Sequence, residues 1–171
     1  MPDQQFPVVA IGASAGGLQA LQALLANLAA DTGVAVVLVT HMASGRESAF
    51  VEIVSRYTEM PVVTAQHDTT VEPNTVYVCP ADRLLTIEDG RLKLHPRTAE
   101  RPRRPIDVFM SALAEERGEA AIGVVLSGSG SDAALGIKSI KERGGLTLAQ
   151  GTGDSAPQQS GMPDAAIAAG V

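Results

Sequence analysis

The chain has 171 residues, a formal net charge of −6 and 45% apolar residues, yet only 3% aromatics and no Trp. That length gives a prior of one domain, and the acidic balance argues against nucleic acid as a partner. The single cysteine, Cys79, excludes an internal disulfide framework and fits a reducing cytoplasm.

A core poor in aromatics is built from Val, Ile, Leu and Ala, a composition typical of a parallel sheet covered by helices. Val8–Ile11 reads as the first buried strand, and it runs into Gly12-Ala13-Ser14-Ala15-Gly16-Gly17. Leu18, Leu21, Leu25 and Leu28 then form a stripe with helical spacing. A strand over 34–39 follows, then a helix carrying Phe50, Ile53, Val54 and Tyr57, then strands over 61–64 and 75–79. Asp89-Gly90, between Leu85/Ile87 and Leu92/Leu94, predicts a two-residue hairpin turn. Residues 96–105 are the main irregular stretch, and Arg97, Arg101, Arg103 and Arg104 there read as solvated, the alternative being a patch that steers an acidic partner. Pro105 suits the first turn of a helix bearing Ile106, Phe109, Met110 and Leu113. A strand over 121–126, a helix after Asp132 through Leu135, Ile137 and Ile140, and a strand over 146–149 complete the alternation. The expected fold is α/β: one domain over residues 6–171, an open doubly wound, mostly parallel sheet flanked by helices, with one appended β-hairpin. No secretory signal is read, and no apolar run is long enough to insert in a bilayer.

Ligands of such sheets bind beyond the carboxyl ends of the strands. Three ends carry capable residues: Ser14, Thr40-His41-Met42 and Ser127-Gly128-Ser129-Gly130-Ser131-Asp132. In a parallel sheet these ends lie on one side, so Ser14, His41 and Asp132 can converge as nucleophile, general base and orienting carboxylate. A neutral imidazole, with an unperturbed pKa of about 6.5, takes a serine proton near neutrality. The turn around Ala15 and Gly16, at a helix N-terminus, is where N–H donors for an oxyanion are expected. Ser14 Oγ within roughly 3.2 Å of a His41 ring nitrogen would support the catalytic reading over a non-catalytic one. Gly12–Gly16 matches G-x-S-x-G, but the order Ser, His, Asp differs from the Ser, Asp, His of α/β-hydrolases.

Duller readings stand beside these. Ser14 suits a phosphate-binding turn, His41 a hydrogen-bonded strand end, and Asp132 an N-cap for the helix that follows it. Gly128-Ser129-Gly130-Ser131-Asp132-Ala133 resembles a dinucleotide fingerprint, but it comes late in the chain. His67 and His95 form no metal-ligand spacing with Cys79, which reads as a buried strand-end residue.

Taken together, Ile11–Gly17, His41-Met42, Arg104-Pro105-Ile106-Asp107-Val108, Leu126–Asp132 and Gly161-Met162-Pro163 with Ala166-Ile167 resemble the catalytic domain of CheB-type chemotaxis receptor methylesterases. The resemblance covers Phe6 to Gly170. It implies hydrolysis of glutamate methyl esters on chemoreceptor signalling helices, with deamidation of receptor glutamines in some members. It places the triad on Ser14, His41 and Asp132, and an oxyanion-hole backbone N–H on Ser129. It implies no cofactor, no metal and a cytoplasmic setting. Members often have Gly after the triad aspartate, so Ala133 is expected to crowd the loop. The usual receiver domain is not expected within this chain. The wording of the motifs also resembles methylesterase domains fused to a methyltransferase and sensor modules. The competing expectation is a non-catalytic interaction module derived from the same domain.

Overall fold

The computed structural model describes residues 5–98, 104–151, 153–154 and 156–171. Its main sheet holds six strands in the order β3-β5-β2-β1-β8-β9: Val62–Thr64, Val76–Val78, Ala35–Thr40, Val8–Ala13, Ala121–Val125 and Leu146–Ala149. Every pairing in it is parallel.

Strand alternation builds a core on each face. Val8 and Ala10 of β1, with Ala35, Val37 and Val39 of β2, face one side, where Ile106, Phe109, Leu113, Ile137 and Ile140 cover them. Those side chains come from α3 (Pro105–Arg117) and α4 (Ala134–Glu142), joined by Met162 and Ala166 of α5 (Gly161–Ala168). Ile11, Ala13, Val36 and Leu38 face the other side, under Leu21 and Leu25 of α1 (Leu18–Ala26) and Val54 of α2 (Glu47–Ser55). Each such Leu, Ile or Phe buried contributes about 1.5–3 kcal/mol. Gly12 lets α3 come close, since a Cβ there would stand 2.6 Å from Ile106 Cγ2.

The doubly wound expectation therefore stands, as does the hairpin. Strands β6 (Arg83–Glu88) and β7 (Arg91–Pro96) pair antiparallel, with Asp89 at φ 50° and Gly90 at φ 70° in the turn. Positive φ at both positions is what a type I′ turn demands. The hairpin gains a third strand, β4 (Thr69–Thr70), too short to leave a pattern in sequence. Helix α5 was not expected as a helix, because Gly161 and Pro163 both fall in its first turn, where Pro is tolerated. Tyr57 lies past the end of α2 and packs on the core from the following turn. Among the described residues no helix is long and apolar enough to cross a membrane.

Candidate functional site

Ala13, the last residue of β1, pairs with Thr40, the last of β2. Ser14 and His41 are therefore the next residues out on neighbouring strands. On the other flank Gly12 pairs with Val125 of β8, and just beyond it Ser14 N–H donates to Ser127 O at 2.9 Å. The parallel register thus brings all three motif-bearing strand ends to one edge.

The His41–Asp132 half of this edge is tightly held. Asp132 Oδ2 accepts from His41 Nε2 at 2.7 Å and from the Ile106 N–H at 3.1 Å. Its Oδ1 accepts from the N–H groups of Asp107 and Ala133, each at 2.9 Å. Burial pushes this carboxyl up, but the His41 bond and the Asp107 and Ile106 amides outweigh it and hold the group below the ordinary aspartate value. An ionised carboxylate only accepts, so the neutral imidazole carries its proton on Nε2 and keeps the Nδ1 lone pair. Asp132 is 4% exposed in its side chain and His41 30%, so the imidazole bridges a buried anion and the open edge.

Asp132 does cap a helix, but not the one that follows it. Its partners Ile106 and Asp107 open α3, whereas the residue at the N-cap of α4 is Ala133, which makes no side-chain cap. The N-terminus of α4 is served instead by Asp107, whose Oδ1 accepts the Gly136 N–H at 2.8 Å. The two helices therefore exchange carboxylates, each satisfying orphan donors of the other. A dinucleotide phosphate at that end of α4 would meet the Asp107 carboxylate. Arg104 belongs to the same network. Its Nε donates to Asp107 Oδ2 at 2.6 Å and its Nη2 to Ser131 O at 2.8 Å. The solvated reading is corrected for Arg104, because pinning two loops outweighs a solvated rotamer. Arg101 and Arg103 lie outside the described residues.

The Ser14 half is looser. Among the described residues Ser14 Oγ has no hydrogen bond within 3.5 Å, so the Ser14–His41 bond is not formed in the free protein. Such bonds are often long before substrate arrives and tighten in the complex. The backbone N–H groups of Ala15, Gly16 and Ser129 likewise have no acceptor among the described residues. Among the described residues no side-chain hydrogen bond caps α1, which begins one turn after Ser14. Donors without acceptors beside a half-buried, unpartnered hydroxyl suit an oxyanion. Gly128 allows this approach, because a Cβ there would stand 2.8 Å from Ser14 Cβ. A cleft of about 190 Å³ lined by Gly16, Gln19, Ala20, Ala23, Gln150 and Gln158 runs alongside the turn.

The remaining candidates lie apart from this edge. His95 Nε2 pairs with Thr86 Oγ1 at 2.8 Å, and His67 Nδ1 accepts the Leu94 N–H at 3.1 Å. Cys79 is buried, which pushes its thiol up to about 12 and leaves it inert near neutrality. Among the described residues no group of three or more His, Cys, Asp or Glu is placed to hold a metal ion.

Comparison with known proteins gives the chain a family. The family described as CheB methylesterase matches residues 9–171. The chain belongs to the CheB methylesterase family. It is 36% identical to the protein-glutamate methylesterase FrzG of Myxococcus xanthus over 99% of this chain and 51% of that protein. It is 41% identical to protein-glutamate methylesterase/protein-glutamine glutaminase 3 of Burkholderia orbicola, over 98% of this chain and 49% of that protein. The chain thus spans about half the length of the curated relatives it matches. The crystal structure of the Thermotoga maritima CheB methylesterase catalytic domain superimposes with a TM-score of 0.86 at 27% identity, covering 97% of this chain and 89% of that one.

Sequence reasoning missed the helpers of this CheB-family edge. Asp107 left a signal, an acidic residue just after Pro105 at a helix start. Ser127 left none beyond membership of a Ser/Gly loop.

Proposed function

We propose that the chain, as one catalytic domain over residues 6–171, is a serine esterase that hydrolyses glutamate 5-O-methyl esters on chemoreceptor signalling helices. The names of its relatives support protein glutamate methyl esters as substrate, and that of the Burkholderia orbicola relative supports protein-glutamine deamidation as a companion reaction. The single observation that carries the mechanism is the His41–Asp132 bond at 2.7 Å beside an unpartnered Ser14.

In this mechanism Ser14 Oγ attacks the ester carbonyl carbon while its proton passes to His41 Nδ1. The imidazolium is stabilised by Asp132, and the tetrahedral oxyanion by N–H groups of the 15–16 turn and of Ser129. The carbonyl re-forms as methoxide leaves and takes the proton from His41 as methanol. Water, deprotonated by His41, then attacks the acyl-serine, and the carboxylate product and free Ser14 are restored. No cofactor or metal enters these steps. The setting is cytoplasmic, where receptor signalling helices are reached without membrane insertion, and a fused or associated methyltransferase or sensor module is a natural partner.

Methanol release from a methylated receptor preparation tests this. Ser14→Ala should lower turnover by about 10⁴-fold or more while leaving the circular dichroism spectrum unchanged. Retained turnover would remove Ser14 from the mechanism, and a wild type that releases no methanol would favour the non-catalytic module.

A further inference from the structure

The Ser127 side chain has no place in the mechanism above, yet its hydroxyl is fully buried against the nucleophile turn. Ser127 Oγ accepts the Gln159 N–H at 2.9 Å and lies 2.8 Å from Ala15 O, with Gln159 O farther off at 3.2 Å. The hydroxyl has one proton, and the shorter contact takes it. The Ala15 carbonyl is thereby turned inward. A trans peptide is planar, with its N–H opposite its C=O, and there are no cis peptide bonds among the described residues. The N–H of that same peptide belongs to Gly16, so it points outward, where it has no acceptor among the described residues.

We propose that the Ser127 hydroxyl is a positioning residue that presets and polarises the Gly16 N–H for the oxyanion formed at Ser14, which rests on the esterase reading. The bonds run in one direction: Gln159 N–H to Ser127 O–H to Ala15 C=O to Gly16 N–H. An amide whose carbonyl already accepts a bond is a stronger donor at its nitrogen, and such chains reinforce one another. Gly16 is fixed in the same arrangement, at φ +76°, where a Cβ would stand 3.0 Å from Ser127 Oγ and 2.7 Å from Gln158 Cβ.

The second donor is set by the same logic. Gly128 O accepts the Met162 N–H at 2.8 Å, so the Ser129 N–H of that peptide faces the opposite way. Both carbonyls are thus anchored through the segment Gln159–Met162, one by backbone and one through Ser127. Only the latter anchor is a side chain. Ser14 itself is tied to the backbone carbonyl of Ser127, so removing the hydroxyl frees the Ala15–Gly16 peptide without releasing that tether.

The test compares Ser127→Ala and Ser127→Thr with wild type in methanol release, with kcat counted per serine labelled by a fluorophosphonate. Ser127→Ala should lower kcat by about 10- to 100-fold, less than the 10²–10³ typical of losing a donor outright. KM should stay within about threefold, and the acid limb of the pH profile should not move. Ser127→Thr, which keeps the hydroxyl, should recover most of kcat. A kcat for Ser127→Ala within twofold of wild type would overturn the proposal, as would a folded Ser127→Thr no better than Ala. If Ser127→Ala does not fold, Ser127→Cys decides, since a thiol fills similar space but donates weakly: an unchanged kcat overturns, a reduced one supports. A wild type without turnover would sink the esterase reading first and this proposal with it.

Discussion

Asp132 and Ser14 stand at the same edge of one sheet and are held in opposite ways. Asp132 is buried and receives four hydrogen bonds, two on each oxygen. Ser14 is half-buried and its hydroxyl receives none among the described residues. The contrast shows where preorganisation resides. The protein fixes the Asp132 carboxylate against His41 and leaves the Ser14 hydroxyl without a partner among the described residues, so the costs of disturbing each side differ.

The largest effect is expected from Asp132→Asn. Each carboxylate oxygen serves two N–H donors, and an amide has only one oxygen. With its NH₂ toward His41, the imidazole must switch tautomer to accept, which places a proton on Nδ1, and the Ile106 N–H is stranded. With the amide reversed, the Asp107 and Ala133 N–H groups are stranded. Turnover should fall by about 10³–10⁴-fold, and urea unfolding should show a loss of about 1–3 kcal/mol. A drop below tenfold with stability lost would leave Asp132 as a helix cap alone.

Acid should erode the same contrast more gently. The Asp132 carboxyl titrates below the 3.8 of a free aspartate in the folded protein, so the unfolded chain binds the proton more readily. Its contribution to stability is complete above the unfolded value of about 3.9 and is lost as pH falls through the lower folded value. The stability gap between wild type and Asp132→Asn, measured by urea unfolding, should be constant from about pH 7 to pH 5 and should narrow below about pH 4. A gap that persists unchanged to about pH 3 would show that the carboxylate charge adds nothing.

How much of this was legible in sequence follows the same division. Ser14, His41 and Asp132 could be placed on one edge because each follows a β-branched run, and parallel strands put their ends together. The alternating faces of β1 and β2 likewise followed from residue type. The exchange of carboxylates between α3 and α4 was not legible. Asp132 and Asp107 are 25 residues apart, and nothing local distinguishes a cap for the next helix from a cap for a previous one. Arg104 looked like one more arginine in a loop, because its Ser131 partner is set by tertiary packing, although Asp107 lies only three residues on. The Ser127–Gln159 contact joins residues 32 apart through one hydroxyl and a backbone group, and backbone partners have no sequence signature.

The smallest effect tests the one residue expected to disturb the anchored side. Ala133 sits at φ 85° and ψ −19°, a left-handed conformation that suits glycine. Its methyl is nevertheless fully buried in the core with Ile137 and Met162, and its N–H still reaches Asp132 Oδ1. Ala133→Gly would relieve about 1–2 kcal/mol of backbone strain. It would also forfeit about 0.8 kcal/mol of methyl burial and about 0.5–1 kcal/mol of chain entropy. These terms nearly cancel, so unfolding should shift by less than about 1 kcal/mol and turnover by less than about twofold. A tenfold gain in turnover on Ala133→Gly would mean that the alanine does crowd the loop, and that the anchored side of the site is held less well than its four bonds suggest.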